Sequence, residues 1–386
     1  MAGGKTLRIT GLAITQDGSS TTTQNGVVKV SGSSNSVRID HCHFVINPDS
    51  SMTIQVNSNS SIALTGVIDH NYFDSQVGNG PFAVYLQHGV GYGDEAWAAP
   101  DDFGSDRFLF VEDNRLRNGY MGDANTGGQR FVYRYNTVIV QANDSVPTVG
   151  YVANHGLTSG RGRSTRAVEY YGNVVSALAP GLNKSPFPFN GGTGLVWGNT
   201  ISQYRYVTSL DYTRKSNATY PYGSPSSGWG NCTGTSGTVW DGPGGYPCLD
   251  APGRGRGDLL SGYPISSTIN TSTGTQSWPH QVLSPVYVWG NAFSPAGYSP
   301  TPVVANAASP LITANRDYYS SENAACSGST CSTGVGSGLR SARPASCTAG
   351  VGFWATDERT LYVCGATNTW NRYYAPYVYP HPLQAN

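Results

Sequence analysis

Tyr170-Tyr171-Gly172-Asn173-Val174-Val175 and Val196-Trp197-Gly198-Asn199-Thr200-Ile201 are two copies of one short pattern. It runs apolar residue, two variable positions, Asn, and a second apolar residue two places on. The pattern recurs at Ile68 to Phe73, Val111 to Leu116, Tyr133 to Val138 and Val288 to Phe293, and at Ile39 to Phe44 with Cys42 in place of Asn. The residue two before the first apolar one is often apolar too: Val37, Leu109, Phe131, Val168, Val286. Period-two alternation closing on a bend marks a half-buried strand. Asn suits the bend because it tolerates left-handed backbone and its amide satisfies neighbouring backbone groups. Stacked, the copies predict an all-β fold: a single-stranded right-handed parallel β-helix. Asn71, Asn114, Asn136, Asn173 and Asn199 then form one inward line.

Composition agrees with a turn-rich solenoid. The 386 residues include 49 Gly and 23 Pro, and only 12% are charged, against ~25% in ordinary globular chains. Disorder is the competing reading of so polar a chain, but 11% aromatic residues and recurrent apolar strands argue against it. The formal net charge is zero, so no bulk field recruits nucleic acid or a membrane surface. No apolar run approaches the ~18 residues of a membrane-spanning helix. Met1-Ala2-Gly3-Gly4-Lys5 leads straight into strand-like Leu7-Arg8-Ile9, with no secretory signal in view.

Six of the seven cysteines form close pairs: Cys232 with Cys248, Cys326 with Cys331, Cys347 with Cys364. Each pair brackets a loop without a core of its own. Disulfides are expected, and with them an oxidising, extracytoplasmic setting. A zinc site competes, but no CxxC occurs and no His stands at ligand spacing. Cys42 takes a ladder position and is expected buried and unpaired.

The ladder spacing predicts a solenoid over 1–324, with a long insertion near 212–282, and a small disulfide-bearing cap over 325–386. Loops at 91–106 and 154–166 interrupt the coils. The acidic loop Asp94, Glu95, Asp101, Asp102, Asp106 could hold Ca²⁺ through hard oxygen ligands, although it matches no defined calcium motif.

With the ladder, Gly127-Gly128-Gln129-Arg130, Asn154-His155-Gly156, Arg163 to Glu169 and Gly192 to Asn199 resemble bacterial right-handed parallel β-helix repeat proteins of the pectate-lyase-like superfamily. Trp354-Ala355-Thr356-Asp357 through Tyr379-Pro380-His381-Pro382-Leu383 is similar to the C-terminal segment of such proteins. The resemblance spans nearly the whole chain and implies the fold. In activity the superfamily ranges over polysaccharide lyases, glycoside hydrolases, pectin esterases and non-catalytic tailspike parts. Neither the Asp-Asp and Gly-His-Gly set of polygalacturonases nor a pectate-lyase calcium motif is present, so no catalytic residue carries over.

Counting back from each ladder residue gives the outward columns. Asp40, Asp69, Glu112, Arg134, Tyr171, Trp197 and Trp289 stand two before it; Arg38, Val67, Phe110, Val132, Glu169, Leu195 and Tyr287 stand four before it. Such columns either line a groove for a linear polysaccharide or are covered, as parallel sheets often are. Nineteen of the 23 basic residues are Arg, whose planar fork suits carboxylates. A lyase acting on a uronic-acid glycan would draw its acid, base and charge-neutralising groups from Arg134, His155, Glu169 and Tyr171. Arg130, Arg163, Arg166, Trp197, Asp69 and Glu112 would bind the sugar. In the alternative, the arginines bond loop carbonyls and pair with Glu169. A hydrolase using Asp69 and Glu112 as paired carboxylates, and a non-catalytic carbohydrate-binding or structural β-helix, remain as further readings.

Overall fold

In the computed structural model, the described residues are 6–16, 26–32, 36–46, 52–58, 64–75, 82–88, 97, 99–140, 152–153, 164–177, 185–211, 251–257, 281–295, 300–305 and 312–385. They form a single-stranded parallel β-helix. Its long sheet stacks Leu7–Thr10, Val37–Asp40, Gly66–Asp69, Leu109–Glu112, Arg130–Arg134, Ala167–Tyr171, Thr193–Trp197, Val286–Trp289 and Tyr318–Ser320, all parallel. At ~4.8 Å between strands this face is about 38 Å long. A second parallel sheet begins just past each bend, from Ala13–Gln16 to Ala292–Ser294. A third, from Val28–Gly32 to Val152–Ala153, closes the coil and encloses a core of Val, Ile, Leu and Phe.

The expected ladder is present. Nδ2 of Asn114 donates to Oδ1 of Asn136 (3.0 Å), to the Ile68 carbonyl one coil back (2.8 Å) and to the Glu112 carbonyl (2.9 Å). The same links run through Asn71, Asn136, Asn173, Asn199 and Asn291. Cys42 ends the line, its amide donating to Oδ1 of Asn71 (3.0 Å); its thiol is buried and free. One detail differs from expectation: the left-handed residue is the one before Asn. His41, His70, Asp113, Tyr135, Gly172, Gly198 and Gly290 all have φ between 54° and 68°. Asn is therefore selected for its amide, which satisfies backbone across coils, and the preceding position absorbs the bend. At Gly172 a Cβ would lie 2.5 Å from the Tyr135 ring, so the side chain that His41, His70, Asp113 and Tyr135 carry at the equivalent position would there clash with the neighbouring coil.

Beyond the solenoid, a four-stranded sheet (Val335–Gly338, Gly352–Ala355, Thr360–Ala366, Thr369–Tyr374) and a small three-stranded one form a C-terminal module. It is tied by the Cys326–Cys331 and Cys347–Cys364 disulfides, consistent with an oxidising setting. Cys232 and Cys248 lie outside the described residues. Among the described residues no helix is long and apolar enough to cross a membrane.

Candidate functional site

Strand pairing aligns both outward columns as the repeat demands. Asp69 faces Glu112, Glu112 faces Arg134, Arg134 faces Tyr171, and Tyr171 faces Trp197 across successive strands. The columns are not open. After Tyr374 the chain runs across the long sheet, from the coil of Glu169 back to the coil of Arg38, and buries what lies beneath it.

A segment crossing strands cannot join their hydrogen-bond ladder, so side chains of the sheet must satisfy its backbone. Arg38 donates to the carbonyls of Leu383 (2.9 Å) and Gln384 (3.2 Å). Arg134 donates to those of Tyr377 and Val378 (both 2.9 Å). Glu112 accepts from the His381 amide (2.8 Å) and from Nε2 of Gln384 (2.5 Å). Glu169 accepts from the Gly104 amide and from the Tyr374 hydroxyl (both 2.7 Å). The network closes on itself: Arg134 pairs with Glu112 through Nε and donates to the Tyr171 hydroxyl (2.8 Å). Arg38 holds Asp69 (3.0 Å). Further along, Tyr171, Trp197 and Trp289 stack in sequence, and Trp354 of the C-terminal module lies 5.0 Å from Trp197 and 5.3 Å from Trp289 between ring centres.

Charge in this strip is tuned by burial. Desolvation raises the Glu169 carboxyl to about 7, against the opposing pull of the Gly104 and Tyr374 hydrogen bonds and of Arg134. Glu112 is raised by the same cause despite Arg134. Burial and then Arg134 depress His381 to about 4. Desolvation pushes Tyr171 far above the ordinary phenol range. In the N-terminal coils Asp40 is held well below the carboxylate range, since the Arg8, His41 and Thr10 hydrogen bonds and Arg38 outweigh its desolvation.

Of the residues singled out from sequence, Arg134, Glu169, Tyr171, Trp197, Asp69 and Glu112 thus share one covered strip. Arg130 and Arg166 stand at its edge and hold the 99–104 loop: Arg130 donates to the carbonyls of Pro100 and Asp101 (3.0 Å to the latter), and Arg166 pairs with Asp101. Both arginines thus bond loop carbonyls, as the alternative reading of the arginines has it, but of the 99–104 loop, and Glu169 is bonded by Gly104 and Tyr374 instead of by either of them. His155 and Arg163 lie outside the described residues. So do Asp94 and Glu95 of the acidic loop, whose Asp101 and Asp102 are engaged by Arg166 and Arg107. Among the described residues no three His, Cys, Asp or Glu side chains gather to hold a metal. The carboxylates Asp40, Asp69 and Glu112 each have a cation: Arg8, Arg38 and Arg134. Arg115 lies over Tyr72 on the second sheet.

Sequence reading missed the covering partners Tyr374, His381 and Gln384. The aromatic density of Trp370 to Tyr379 was the available signal, because so many rings in a short non-alternating run need a surface to lie on.

Fold and strip together define a parallel β-helix protein whose long sheet is sealed by its own C-terminal segment. No protein family, curated protein or solved structure shows significant similarity to the chain.

Proposed function

We propose that this chain is an extracytoplasmic, non-catalytic β-helix, a carbohydrate-binding or structural solenoid of the kind that serves in surface, fibre or tailspike-like proteins. One observation carries the reading. The face on which a depolymerase groove was expected is filled by the protein's own tail, and the charged groups beneath it are engaged by that tail, by the Gly104 amide or by one another. A general acid or base must come within hydrogen-bond reach of a substrate proton, and Arg134, Glu112 and Glu169 have their nitrogens and oxygens already engaged. The disulfides support the compartment. The test is incubation of the purified chain with a panel of acidic polysaccharides, following unsaturated product and reducing ends together, alongside retardation in polysaccharide-containing gels. Retardation without turnover is expected; turnover abolished by Glu169→Gln would overturn the proposal.

A second reading, a polysaccharide lyase of pectate-lyase-like kind, draws on Glu169. A carboxyl that exchanges its proton near pH 7, beside a phenol and a guanidinium, has the titration an acid–base catalyst needs. It requires the tail to leave the strip, and the same assay with Glu169→Gln separates the two.

A further inference from the structure

At the edge of the sealed strip the solenoid and the C-terminal module leave a cleft of about 600 Å³, within the ~300–1,000 Å³ of small-molecule sites. Its polar groups are Arg166, Asp101, Ser284 and Arg316; Tyr287, Tyr319 and Tyr373 supply much of its apolar wall. Val282 and Leu283, on its rim, are half exposed, an unusual position for large aliphatic side chains beside a cavity.

Arg166 is the informative member. Its side chain is 1% exposed. Nη2 pairs with Asp101 and reaches the Ala99 carbonyl (3.4 Å), and the guanidinium lies 5.3 Å from the Trp97 ring centre. Among the described residues, Nε and Nη1 are buried without an acceptor. Idle donors on a buried cation are costly, and in Arg134 all three nitrogens find partners. Asp101 is only partly committed to Arg166: it is 24% exposed, and its other oxygen accepts from Ser284 (3.0 Å), which also bonds Tyr373. Arg316 and Arg254 both sit on Asp317 (2.7 Å each).

We infer that this cleft is a binding site for a small organic acid, a carboxylate carried on a six-membered ring. The ligand carboxylate takes the place of Asp101 on Arg166, and Asp101 keeps Ser284 as its partner. The ring lies against the tyrosine wall, where apolar contact and an anion-binding fork act together. Two sources share this chemistry: an acidic sugar unit and an aromatic acid. The inference does not depend on polysaccharide binding elsewhere on the chain.

The test is calorimetric titration and thermal shift of the full chain with galacturonate, benzoate and neutral galactose. Either acid should bind and raise the melting temperature in a dose-dependent way, and galactose should not; whichever acid binds tighter identifies the source. Arg166→Gln should weaken binding about tenfold or more, the scale of a lost charge-assisted hydrogen bond. Because Arg166 is buried and that variant could unfold, Leu283→Trp provides the independent arm. It fills the mouth from an exposed position and should weaken binding about tenfold or more while the unliganded melting temperature holds. Absence of binding by both acids, equal binding of galactose, or unchanged affinity in Leu283→Trp would each overturn the inference.

Discussion

The long sheet and the second sheet belong to the same coils, yet their outer faces live in different media. On the second sheet His43, Arg115, Val174, Thr200 and Ala292 stand in solvent, and Arg115 rests over the Tyr72 ring at 5.4 Å. On the long sheet the outward residues from Arg38 to Trp289 are buried, Trp197 alone being half-buried, and nearly every charge among them bonds the covering segment or an opposite charge. Charge on the open face is ordinary surface. Charge on the covered face is internal wiring that satisfies a backbone lying across the strands, where no ladder is available. The same residue type, arginine, should therefore differ severalfold in what it contributes.

The widest gap is expected at Arg134. Arg134→Ala strands Glu112 in a buried site and frees two tail carbonyls, and should cost about 3–5 kcal/mol in chemical denaturation, the range for breaking a buried pair. A loss below 1 kcal/mol would mean that the strip is wet and the contrast between faces is small. Next comes the pH dependence. Burial raises Glu169 from 4.5 to about 7, so the folded state keeps a proton that the unfolded chain has released. Its contribution is lost as pH rises from about 4.5 through about 7, on the order of 3 kcal/mol. His381 works in the opposite direction: depressed from 6.5 to about 4, it costs stability as pH falls through that window. Wild-type melting between pH 4 and 7 should therefore be flattened by cancellation. Glu169→Gln should leave a curve that rises with pH, and His381→Gln one that falls; parallel curves for all three proteins would refute both burial effects. Tyr379→Phe removes the hydroxyl bond to Asp113 (2.7 Å) and should cost about 1 kcal/mol, visible as faster amide exchange confined to residues 377–384. Smallest is Arg115→Ala on the open sheet, expected within ~0.5 kcal/mol of wild type. If it matched Arg134→Ala, cover would not be what distinguishes the faces.

The inner half of the coil was readable because it repeats. Val168, Tyr170 and Asn173 recur in kind at Val286, Val288 and Asn291, and periodic chemistry declares its own geometry. The glycines before three ladder residues even marked the left-handed bend, although the bend was assigned to Asn. The outer columns were readable as columns, which is why Arg134, Glu169 and Tyr171 could be placed side by side. What covers them was not. Tyr374, His381 and Gln384 meet partners more than two hundred residues earlier in the chain, and a segment that docks across strands through its own carbonyls carries no period to read. Arg166 was noticed for its charge; the cleft beside it forms only when Tyr373 and residues 282–287 arrive from elsewhere.

The reach of the covering segment also bears on how the protein is made. The carbonyls that Arg38 needs, on Leu383 and Gln384, lie 345 and 346 residues further along the chain. At ~5–20 residues per second of synthesis, the coil of Arg38 waits roughly 17 to 70 s for those carbonyls, its outward face uncovered in the meantime. A nascent chain, or one cut before residue 377, thus exposes Phe110 and its neighbours on the long sheet, and chaperones and proteases that sense exposed aromatic surface can distinguish a chain in which residues 377–384 have docked from one in which they have not.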